Sequence, residues 1–92
     1  MNESFENVWD ALCDTPQEAA NMTARSDLLI ALQREIAGWG VTHELSAKRL
    51  GVTRPRVSDL LSGKINKFSL DALVNLASRA GLTIEIRTTQ AA

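Results

Sequence analysis

One thiol, Cys13, and one imidazole, His43, are the only side chains of their kinds in this chain of 92 residues. A lone cysteine closes no disulfide within the chain, and one Cys with one His makes neither a metal site nor a catalytic dyad. Serines and aspartates are present, but none sits in a nucleophile elbow or comparable spacing, and no phosphate-binding glycine loop occurs. The expectation is a protein that is not an enzyme and carries no metal and no cofactor. What remains is charge. Residues 42–68 hold Lys48, Arg49, Arg54, Arg56, Lys64 and Lys67 against Glu44 and Asp59, a net +4, while residues 1–41 sum to −5 and residues 69–92 to 0. A total of −1 argues against a polyanionic partner. A basic middle on an acidic chain argues for one, because binding responds to the local field.

The elements that must position those charges follow from caps and periods. Ninety-two residues, 45% of them hydrophobic, make one domain with a modest core. With only four aromatics, Phe5, Trp9, Trp39 and Phe68, that core is expected to be aliphatic. Residues 1–14 form an acidic leader arm, with Phe5, Val8, Trp9 and Leu12 at helical spacing. Thr15-Pro16-Gln17-Glu18 is a helix start, combining a capping hydroxyl, a first-turn proline and a capping-box acid. The helix is predicted to run to Ala37, with Met22, Leu28, Leu29, Leu32 and Ile36 inward, and to close at Gly38-Trp39-Gly40. Thr42 then caps a segment through Leu50, and Thr53 caps another from Arg54 to Leu61. Residues 64–68 read as a polar loop, and Ser69 opens a segment 70–80 with 70, 73, 74, 77 and 80 on one face. The domain proper spans 15–82, and 83–92 is a strand and tail.

The segment 43–62 meets the demands of two short helices crossing at a tight turn. Ala47 is the small residue at the crossing, Gly51 takes a turn conformation costly for residues with a Cβ, and Val57 holds the second helix down. Leu50, Val52 and Leu60 fill the other buried positions. With about 100° per residue and Val57 inward, Leu60 and Leu61 also point inward. Pro55, Ser58, Asp59 and Ser62 point outward and Arg56 lies on the flank.

The stretch VTHELSAKRLGVTRPRVSDLLSGKINKFSLDALVNLASRAGL resembles the Xre family, the Cro- and repressor-type helix-turn-helix proteins of phages and bacterial chromosomes. The likeness covers roughly residues 28–82. The acidic leader and single terminal strand are similar to a smaller branch that includes HigA-type antitoxins. The resemblance implies an all-α, five-helix domain that binds duplex DNA as a homodimeric repressor, or an antitoxin that neutralises a small basic toxin and regulates its own operon. It places base readers at Arg54, Pro55 and Asp59. Arg54 can fork onto guanine, Asp59 can accept from a cytosine amino group, and Pro55 offers apolar contact. Arg56 is expected either to read a base or to pair with Asp59 or a leader acid. Phosphates are expected at the helix starts after Thr42 and Thr53, with Ser58, Lys64, Asn66 and Lys67 adding contacts. His43 stands where the family often has Gln, and is expected either at a phosphate or in solvent.

Leu82, Ile84 and Ile86 alternate with Thr83, Glu85 and Arg87, which is the period of a strand. No second strand pattern exists to pair with it, so these residues are expected to pair across a dimer, antiparallel about a two-fold axis. Such a dimer predicts a pseudo-palindromic operator. The first twenty residues hold no Lys or Arg, which excludes a secretory start, and no apolar run approaches a membrane span. Both point to the cytoplasm.

Overall fold

Four hydroxyl side chains set where helices begin. In the computed structural model, which describes residues 3–90, α1 spans Glu3–Leu12, α2 Pro16–Trp39, α3 His43–Leu50, α4 Arg54–Leu61 and α5 Leu70–Arg79, with a 3-10 turn at Ile65–Lys67. Thr15, Thr42, Thr53 and Ser69 each accept the backbone N–H three residues on, from Glu18 (3.1 Å), Leu45 (3.2 Å), Arg56 (3.3 Å) and Ala72 (3.1 Å). Each cap stabilises its helix by about 0.5–2 kcal/mol. At α2, Glu18 reaches back to the N–H of Asp14 at 3.1 Å, one residue beyond the usual reciprocal partner.

The helix ends share one closure. At α3, α4 and α5 a left-handed glycine donates its N–H three residues back, and the next residue donates five back. Val52 thus donates to Ala47 (3.0 Å), Lys64 to Asp59 (3.1 Å) and Leu82 to Ala77 (2.9 Å). Gly51, at φ +70°, is covered by the Arg79 guanidinium, whose Cζ would lie 2.9 Å from a Cβ placed there. The long helix α2 runs two residues past its predicted end: Gly38 stays helical and Gly40, at φ +64°, closes it.

Helix α2 is the spine. It packs against α1, α5, α4 and the 3-10 turn, while α3 packs against α4 and α5. The core joins Leu29, Leu32 and Ile36 of α2 to Ala47, Leu50, Val57, Leu60, Leu73, Leu76, Ala77 and Ala80. Met22 and Leu28 are only half-buried, as is Leu61 of α4.

Three expectations need correction. The core is not purely aliphatic: Phe68 from the supposed polar loop is among its largest fully buried side chains. The inner face of α5 is Leu73, Leu76, Ala77 and Ala80, and Val74 is 39% exposed, so the face is rotated from the predicted one. The terminal strand does not form, and residues 82–90 have no regular structure. The N–H of Leu82 closes α5, Leu82 and Ile84 pack half-buried on the core, and Ile86 is 85% exposed. A strand needs a second backbone to pair with, and none is offered among the described residues. The leader is helix α1 from Glu3 to Leu12, with Trp9 half-buried. Met1 and Asn2 of the leader, the side chain of Phe5, and Ala91 and Ala92 of the tail lie outside the described residues.

Candidate nucleic-acid interface

The second helix of the motif is fixed from below and open above. Val57 and Leu60 are buried in the core, while Arg54, Pro55 and Ser62 are exposed and Ser58 and Asp59 are half-buried. That is the outward row expected from the helical period. At the crossing, Ala47 is buried and Gly51 carries the left-handed turn.

Arg56 is engaged within the domain. Its guanidinium stacks over the Phe68 ring, 4.0 Å from the centroid, and Nη1 donates to the carbonyl of Lys67 at 2.7 Å. Among the described residues it pairs with no acid, and it is a strut between α4 and the following turn. Asp59 instead takes two lysines: Lys64 Nζ lies 3.3 Å from Oδ1 and Lys67 Nζ lies 3.6 Å from Oδ2. Partial burial pushes the Asp59 carboxyl up, but the hydrogen bond from Lys64 and the two ammonium charges outweigh it and hold it below the usual aspartate value. The structure therefore gathers Arg56, Asp59, Lys64 and Lys67 into one cluster where α4 runs into the 3-10 turn, with Asn66 exposed in that turn.

Thr42 and His43 are exposed at the start of α3. Both threonine hydroxyls are committed as caps, which takes one first-turn N–H from each helix. Pro55 has none to give, so in α4 only the N–H of Arg54 remains ahead of the capped one. Arg49, on the exposed side of α3, lies over the Trp39 ring, 4.6 Å from the centroid, and the Trp39 Nε1–H donates to Glu35 at 3.0 Å.

Two residues that position this surface escaped sequence reasoning. Arg25 of α2 sends Nη1 to the carbonyl of Phe68 at 3.0 Å. Gln33 of α2 donates Nε2–H to the carbonyl of Leu60 at 3.0 Å, near the end of α4. A signal existed: Arg25 shares the stripe of Leu29, Leu32 and Ile36, so a cation stood on an apolar face. A charged group there needs an acceptor within the fold.

Among the described residues no cluster of His, Cys, Asp and Glu could hold a metal ion, and no helix is long and apolar enough to cross a membrane. A small residue at a helix crossing, a left-handed glycine and an anchored second helix with an open outer row define a helix-turn-helix protein. The chain belongs to the helix-turn-helix domain family, whose model matches residues 11–89. Comparison with curated proteins finds none that matches. Membership of this family points to a DNA-binding regulator.

Proposed function

We propose that this protein is a sequence-specific, double-stranded DNA-binding repressor of the Xre type, acting in the cytoplasm as a homodimer and without a cofactor or enzymatic activity. The observation that carries the reading is helix α4: pinned to the core by Val57 and Leu60, it presents Arg54, Pro55, Ser58 and Ser62 beside the lysines of the next turn. Arg54, first in the helix, reads a base; Lys64, Lys67 and Asn66 hold phosphates, with His43 and the starts of α3 and α4 adding to them. Arg56 supports rather than reads. The test is selection of a duplex from a random pool, followed by titration of Arg54→Ala. Its specific binding should weaken by about 1–3 kcal/mol with relaxed preference at one base pair. Equal losses on selected and scrambled duplexes remove Arg54 from the readers.

The dimer is supported by Ile86 and Val74, apolar and exposed on the tail and on α5. Pairing of the two tails would give each the second backbone it lacks alone, with operator half-sites about one turn, roughly 34 Å, apart.

A second reading is favoured by α1, which leaves Val8 48% and Leu12 70% exposed on an acidic segment. Such a face fits an antitoxin of the HigA type that covers a small basic toxin and represses their shared operon. Deleting residues 1–14 should then leave DNA binding intact and abolish co-purification with the product of the neighbouring gene. A neighbouring product that is harmless when expressed alone ends this reading.

A further inference from the structure

Asp59 is the only acid on α4, the helix that on the reading above approaches a polyanion. A bare carboxylate facing phosphates repels them, and a half-buried one beside DNA loses water as well. The free protein meets both costs by dividing the carboxylate, with Lys64 on Oδ1 at 3.3 Å and Lys67 on Oδ2 at 3.6 Å. Neither lysine is locked there. Their side chains are 54% and 57% exposed against 22% for Asp59, so each ammonium group can swing to another anion while the carboxylate stays with the helix.

Phosphates compete for the same two ammonium groups. Each lysine that leaves for the DNA backbone strips Asp59 of a partner, and the carboxylate then needs a replacement donor from the groove. A base edge that presents an amino group, cytosine N4 or adenine N6, supplies one; a guanine or thymine edge there presents only acceptors or a methyl. We infer that Asp59 determines specificity by an exchange of partners: Lys64 and Lys67 pass from Asp59 to phosphates at full strength only where a base amino group takes their place. The inference rests on the DNA-binding reading. It makes Asp59 a brake on binding to arbitrary sequence and not only one more contact to a chosen one. The low-lying carboxyl of Asp59 is consistent with its being ionised in the free protein, where the two lysines face it.

The test measures affinity over several salt concentrations for wild type, Asp59→Asn, Asp59→Ala and a Lys64→Gln/Lys67→Gln pair with and without Asp59→Asn. Two probes are used, the duplex selected by the wild type and a random-sequence duplex of equal length. Circular dichroism confirms the fold of each variant. Removing the carboxylate raises the local charge from +1 to +2, so Asp59→Asn and Asp59→Ala should bind the random duplex more tightly and steepen its log–log salt slope by about one. The selected duplex should gain nothing or lose, so that the ratio between the two probes shrinks about tenfold, the scale of one lost base contact. In the Lys64→Gln/Lys67→Gln background the gain on random duplex should vanish. An equal gain on both probes reduces Asp59 to a plain negative charge and overturns the proposal, as does a gain that survives without the lysines. Failure of the wild type to bind either duplex overturns the DNA reading itself, and the wild-type titrations alone reveal it.

Discussion

Replacing Gly51 with alanine tests the turn that sets α4 against α3. Two costs arise, and the structure separates them. At φ +70° a Cβ meets its own backbone, which costs about 1–2 kcal/mol for an L residue. The Cβ would also run into the Arg79 guanidinium, with Cζ at 2.9 Å. That neighbour is the far end of an exposed, flexible side chain, so it can turn aside into another staggered rotamer for little. Gly51→Ala should therefore lower stability by about 1–2 kcal/mol, nearly all of it from the backbone, and lower the melting temperature by about 4–15 °C in a domain this size. Urea titrations of wild type, Gly51→Ala, Arg79→Ala and the double variant close the cycle. Coupling between the two sites should stay under about 0.5 kcal/mol. A cost that mostly disappears in the Arg79→Ala background would show that collision, not φ, is what glycine avoids here, and would refute this reasoning.

Three further outcomes are expected. Arg25→Met keeps the aliphatic stem but removes the charged donor to Phe68, and should cost about 1.5–3 kcal/mol in urea unfolding; a neutral result would mean the carbonyl is served elsewhere. Ile86→Asp touches a side chain outside the core, so helicity should persist while sedimentation shows a monomer with weaker operator binding; a dimer that survives moves the interface off the tail. Asp59 has a folded pKa below 3.8, so its ion pairs favour the folded state fully at pH values above that and are lost as pH falls through the lowered value. Asp59→Asn should flatten the acid side of the stability–pH curve below about pH 4, and an unchanged curve would discount the pairs.

What was legible in the sequence was local. Thr15, Thr42, Thr53 and Ser69 bind amides three residues away, and the helix-closing glycines are bonded within a turn, so short windows contain both the cause and the effect. The outward row of α4 was legible for the same reason, since one buried Val57 fixes the phase of eight residues. What failed depends on partners remote in sequence. Phe68 stands alone among polar neighbours and shows no period, yet Arg56 stacks on its ring and Arg25 bonds its carbonyl. The lysines that pair with Asp59 went unforeseen, because the helical period gives the direction of Asp59 and not its neighbours. On α5, both Val74 and Leu76 are apolar, and only the position of α2 decides which is covered. The tail alternates like a strand, but alternation records which side is apolar and not whether a second backbone is there.

Three bonds that hold α4 and its following turn in place, from Gln33 to the carbonyl of Leu60, Arg25 to that of Phe68 and Arg56 to that of Lys67, end on main-chain oxygen. A carbonyl is present whatever the side chain, so the mounting of this helix is indifferent to what is written on its outer face. Arg54, Pro55, Ser58 and Ser62 take no part in those bonds. They can be exchanged as a set without loosening the fastening, provided position 55 still tolerates a first-turn helix. The fold thus works as a holder with an interchangeable key, and new target sequences are open to it through substitutions that the rest of the domain does not feel.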